Sequence, residues 1–263
     1  MTIATTYPTH PTTRAFTPTP LGIPLSRLVR VELRKMSDTR SGKWLLMGLG
    51  VVTLAIVAIF FVTADPADRT FIKLMAATLG PQGFLLPVLG ILLITSEWSQ
   101  RTGLVSFTLV PVRGQVLLAK VLAGLLAAVA AFSLSVVVAA LATLVGGADG
   151  AWTGVGAADL GGFAVLQLTG IVQGLAFGLL FLSSAPAIAS YFIFPTALNI
   201  LGTLWAPLAD VQPWIDLWAA QAPLFTGEQL SGEQWSQIGT SNLIWVVLPF
   251  ALGLLRVLRS EVK

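Results

Sequence analysis

The chain has 263 residues, of which 55% are hydrophobic and only 10% charged, with a net charge of +3 and a mean hydropathy of +0.84. That balance excludes a soluble globular domain and is that of an integral membrane protein. Zero cysteines exclude a disulfide framework or a thiolate metal site, a single histidine leaves no metal cluster to assemble, and basic residues set beside apolar runs argue against nucleic-acid binding.

Residues 1–23, rich in threonine and proline, lack the apolar core of a secretory signal and read as a disordered cytoplasmic tail, with His10 exposed in it. From Pro24 to Arg40 the pattern turns helical, and Pro24 suits a first-turn position. At about 100° per residue Leu25, Leu28, Val29, Leu33 and Met36 fall on one face, while Arg27, Arg30 and Arg34 project from the other. This is the pattern of a helix lying in a membrane surface. Glu32 falls inside the apolar face, where an unpaired carboxylate is costly; a cationic partner from another segment and a snorkelling carboxylate are both open to it.

The run from Trp44 to Thr63 is uncharged over 20 residues, and at about 1.5 Å per residue it spans a hydrocarbon layer of roughly 30 Å. A second span is predicted over 74–95, kinked or delayed by Pro81 and Pro87. A charged segment follows, 97–114, with Glu97, Arg101 and Arg113. The third span, 116–145, begins outside the hydrocarbon, so that Lys120 is expected to snorkel to the interface. A fourth runs over 160–182 and carries Gly170, Gly174 and Gly178 at four-residue spacing, a stripe that lets another helix approach closely. Residues 183–186 are expected as a tight turn, 187–205 as the fifth span and 240–255 as the sixth. Between the last two, residues 210–239 are too polar to span and read as short helices in, or dipping into, the outer interface, with Trp214, Trp218 and Trp235 as headgroup-level anchors.

With both ends cytoplasmic, thirteen of the fifteen Lys and Arg residues fall inside and only Arg69 and Lys73 outside. That bias gives an all-α polytopic protein of six spans with both termini in the cytoplasm.

No catalytic site and no metal site is expected. The spans offer hydroxyls and amides, among them Thr53, Ser133, Ser135, Gln167, Gln173, Ser190 and Asn199, which suit interhelical hydrogen bonds; a membrane serine protease would need a His or Lys near its serine. Proton- or ion-coupled carriers place ionisable groups inside the bundle, and here Glu97 and Lys120 lie at helix ends. Gly42-Lys43 is followed by Trp44 and has no upstream glycine, so it is no phosphate-binding loop, and ATP would have to be handled by a separate chain.

A basic amphipathic helix ending near Arg34, Lys35, Asp38, Thr39 and Arg40, followed by six spans with Glu97, Arg101, Thr102, Gly103, Leu109, Val110, Pro111, Arg113 and Lys120 after the second, resembles the ABC-2 type permeases. The resemblance covers residue 25 to the C-terminus. It implies the permease subunit of an ATP-driven exporter in the cell membrane, pairing with a second permease chain and with a dimer of ABC ATPase subunits that bind the ATP and Mg. It also implies a coupling segment at Glu97, Trp98, Arg101, Thr102, Gly103 and Leu104, a second ATPase contact along Arg27, Arg30, Glu32, Arg34 and Lys35, and short re-entrant helices before the last span. An ATP-independent secondary transporter and a non-transporting scaffold or immunity protein are the alternatives.

Overall fold

The computed structural model describes residues 23–99, 113–226 and 229–259. The Thr/Pro-rich tail and the coupling residues Arg101, Thr102, Gly103 and Leu104 lie outside the described residues. Among those described, every regular element is helical, and six helices are long and apolar enough to cross a membrane. The chain is an all-α polytopic membrane protein.

Helix α1, Leu25–Asp38, is short and amphipathic, and α2, Arg40–Thr63, is the first span. Thr39 serves both. Its extended backbone ends α1, its N–H reaching the Lys35 carbonyl, and its hydroxyl accepts the Gly42 N–H at 3.2 Å to start α2. A Cβ on Gly42 would lie 1.9 Å from the Met36 carbonyl oxygen, so only glycine lets α2 fold back this tightly. The cap lets α2 begin four residues before the apolar run.

The second span is α3, Phe71–Ser99; the third, α4, is Arg113–Gly146; the fourth, α5, is Ala157–Phe181; and the fifth, α6, is Ser184–Leu204. In their most apolar windows α3 and α5 are each 61% buried and α2 and α6 only 17%, which makes α3 and α5 the central pair and α2 and α6 the outer helices. The glycine stripe forms the seam between the central pair. A Cβ on Gly174 would stand 2.2 Å from the Pro87 carbonyl oxygen, and one on Gly178 would stand 2.9 Å from Ile94 Cβ, whereas one on Gly170 would make ordinary contact with Pro87 at 3.5 Å.

Helix α3 runs unbroken through Pro81 and Pro87. Proline at 87 removes the N–H that would bond the carbonyl of residue 83. The Tyr191 hydroxyl on α6 donates to that Gly83 carbonyl at 2.9 Å, supplying from a neighbouring helix what the backbone lost.

The turn between α5 and α6 falls at Leu182, in the left-handed region at φ 53°, and Ser183; Ser184 to Pro186 already belong to the first turn of α6, where proline forfeits no helical bond. After α6 come α7, Ala206–Ile215, the short α8, Leu217–Gln221, and a 3-10 turn, Ala222–Phe225. Leu217, Ala220 and Leu224 are buried, so α8 and the turn insert among the spans.

The last span starts earlier than expected. Ser231 and Gln234 form a capping box for α9, Gly232–Asn242, which passes through a π-helical turn, Leu243–Val247, into α10, Leu248–Arg259. Trp235 therefore sits in the first turns of a long helix and not on a separate interfacial one. Its predecessors Trp214 and Trp218 do lie on the short helices, half-buried and exposed respectively.

Candidate functional site

The spans alternate in direction, so one end of the bundle gathers α1, the end of α3, the start of α4 and the end of α10. Leu33 and Met36 of α1 pack into the same apolar cluster as Leu49, Leu93, Leu117 and Val257. Docking that face carries Glu32 inward with it, while Arg27, Arg30 and Arg34 remain exposed on the opposite side.

Glu32 is met there by an ammonium group from α4 and by one from its own helix. Its Oε2 accepts from Lys120 Nζ at 2.7 Å and its Oε1 from Lys35 Nζ at 2.7 Å. Glu97 Oε1 lies 3.1 Å from Lys35 Nζ and 3.3 Å from Lys120 Nζ. Two carboxylates and two ammonium groups thus meet in one cluster. Lys120 donates further to the Leu93 carbonyl at 3.1 Å. The arrangement ties α1 to the end of α3 and to α4 at once.

Burial sets the energetic scale. Lys120 is 0% exposed, Glu97 3% and Glu32 4%, while the Lys35 side chain keeps 42% of its surface. Such groups remain charged inside a protein only when paired, and removing one member of a buried ion pair costs about 3–5 kcal/mol. Burial works to lower the Lys35 pKa, but the hydrogen bond and charge of Glu32, joined by those of Glu97, prevail and hold it above its usual value.

Glu32 has the partner from another segment that its place on the apolar face required. Lys120 departs from expectation. It does not snorkel, because the carboxylates of α1 and α3 lie within reach and solvate its ammonium better than a long path to the interface would. Composition along α4 gives no hint of this; the decisive partner is 88 residues away in sequence. Trp98 is half-buried and packs against the same apolar cluster.

A second polar cluster lies deeper. Gln82 of α3 donates to the Ser135 hydroxyl of α4 at 2.6 Å, and the Gln167 amide of α5 donates to the Gln82 carbonyl oxygen. All three side chains are buried. Gln82 and Gln167 stand 11 and 10 residues inside their helices, roughly 15 Å along the axis. The hub, Gln82, was not singled out from sequence, although an amide between Pro81 and Gly83 in an apolar run is a usable signal. Ser133, on the exposed face of α4, bonds only its own helix, at Val129.

The opposite end of the bundle is built differently. Asp68 and Lys73 pair at 2.6 Å with both side chains about half exposed, and the Arg69 guanidinium lies over the Phe61 ring at 4.7 Å. Asp159, at the third position of α5, accepts the Gly156 N–H at 2.8 Å and caps that helix.

Set against known proteins, the chain matches no family model and no curated sequence.

Proposed function

We propose that this chain is the transmembrane permease subunit of an ATP-driven exporter of the ABC-2 type, working as a pair of permease chains driven by separate ATPase subunits at the cytoplasmic face of the cell membrane. What supports the reading is the four-charge cluster. A displacement applied to α1, or to the connection 100–112, reaches α3 and α4 together through Glu97 and Lys120, which share Glu32 and Lys35. Buried pairs resist being stretched, so the three helices move as one lever.

The arginines of α1 face outward and present a cationic surface next to that lever, suited to contact with a partner protein. ATP binding by the partner biases the bundle only if the partner holds two arrangements of α1 differently. In this reading the resident ATP and Mg belong to the partner chain, and both termini of the permease are cytoplasmic.

The test is co-expression with ATPase subunits, purification from membranes and measurement of ATP-stimulated flux in vesicles. Copurification with an ATPase is expected, with flux that Arg101→Ala and Glu97→Gln abolish while membrane insertion persists. Uphill transport by the purified chain alone overturns the reading in favour of a secondary carrier. An ATPase-free complex without flux overturns it in favour of a scaffold.

A further inference from the structure

Between α3, α5, α6 and the inserted α8 lies a partly open cleft whose enclosed space is about 60 Å³. Its walls are apolar and aromatic, with Leu79, Tyr191, Trp218 and Phe225 among them, and none of the described lining residues is charged. Trp218 is braced by Phe84, their rings 5.5 Å apart. Gln173 and Gln221 line the same cleft at 2% and 8% exposure, and the amide nitrogen of each lacks a hydrogen-bond partner.

Two orphaned amides in one cleft are unexpected. Buried polar groups are ordinarily satisfied, as they are in the neighbouring Gln82–Ser135–Gln167 cluster. The Tyr191 hydroxyl, which donates to the Gly83 carbonyl, accepts from neither amide. Free N–H groups beside an apolar, aromatic wall and unfilled space are the pattern of a ligand pocket, where a few polar groups orient a largely apolar molecule.

We propose that this cleft binds an uncharged amphipathic molecule bearing a carbonyl-type acceptor, which takes N–H bonds from Gln173 and Gln221 while its apolar body lies against Trp218 and Phe225. An anion and a cation are both disfavoured because, among the described lining residues, neither a cation nor a carboxylate is present to pair with one. The claim concerns binding alone and does not depend on the ATP-driven reading. A transported small molecule and a resident ester lipid share this chemistry.

Benzophenone is a suitable probe: it is an uncharged aryl ketone, and on irradiation it marks the C–H bonds beside it. In nanodiscs of the full chain, labelled peptides should concentrate at the cleft, and unlabelled benzophenone should compete at least fivefold better than diphenylmethane, which has the same rings without the acceptor. Gln173→Leu and Gln221→Leu should each weaken competition by about two- to tenfold and should erase the preference for the ketone in combination. Both variants should fold at least as well as the parent, because each removes an unsatisfied donor; Gln173→Met keeps the side-chain length if leucine does not fit. Weaker labelling in ester-lipid than in ether-lipid nanodiscs assigns the cleft to a lipid, and equal labelling in the two assigns it to a small molecule. Labels scattered over the outer helices, equal competition by diphenylmethane, or unchanged competition in the glutamine variants would overturn the proposal.

Discussion

The two buried polar clusters of this bundle differ in kind. At the α1 end, Glu32, Lys35, Glu97 and Lys120 pair opposite charges and join three helices. Deeper in, Gln82, Ser135 and Gln167 form a neutral cluster that borders a cleft with two unsatisfied amides, Gln173 and Gln221. Both clusters join three helices, one through charges and the other through neutral groups, and the neutral one lies beside the two unsatisfied amides. Desolvation distinguishes the two: an unpaired buried charge costs several kcal/mol, whereas an unpaired amide costs about 1–3 kcal/mol and can be tolerated until a ligand arrives.

The largest effect expected from breaking this contrast is at Lys120. Lys120→Met takes from Glu32 and Glu97 the buried ammonium that both contact and should cost about 3–5 kcal/mol of stability. Adding Glu32→Gln removes the carboxylate that Lys120 had paired, so the double variant should be more stable than Lys120→Met alone in thermal unfolding in detergent. A double variant as unstable as the sum of its parts would mean that the four groups do not act as a unit.

Next in size is the seam holding the central pair together. Gly174→Ala would force a methyl onto the Pro87 carbonyl and should cost about 1–3 kcal/mol, with a matching loss of folded protein on size-exclusion chromatography. Gly170→Ala, where a methyl makes ordinary contact, should leave the elution profile unchanged. Equal behaviour of the two would remove the seam from the account.

Gln82→Leu separates the clusters further. It strips Gln167 of its acceptor and Ser135 of its donor, an expected loss of about 1–3 kcal/mol in denaturant unfolding. Gln173→Leu, which breaks no bond, should be neutral or stabilising in the same measurement. The reverse order would contradict the division into satisfied and unsatisfied amides.

The smallest effect concerns pH. Lys35 has a raised folded pKa, so its contribution is complete below its unfolded value near 10.5 and is lost as pH rises through the folded one. Thermal stability should therefore begin to fall above about pH 10.5, less steeply in Lys35→Met, while acidification from pH 8 to 6 leaves this contribution intact. A Lys35-dependent loss between pH 6 and 8 would contradict the assignment.

Much of the architecture was legible in the residues themselves. The uncharged run from Trp44 to Thr63 marks a span wherever it is placed, because no other environment suits twenty such residues, and the alternation of Leu and Arg along α1 marks its two faces. Glycine spacing on α5 foretold a close contact, since a stripe of missing side chains has one steric meaning. Even the need of Glu32 for a partner could be read, because the cost of burying a carboxylate is local.

Tertiary structure alone decided who the partners are. That Lys120 turns inward to Glu32, that Tyr191 replaces the N–H missing at Pro87, and that Gln173 and Gln221 face a common cleft from different helices all depend on helices brought together from distant parts of the chain. Periodicity and hydropathy report how a residue relates to its own helix. Hydrogen bonds and ion pairs between helices depend on distances of a few ångströms that packing sets, and one strand of sequence does not contain those distances.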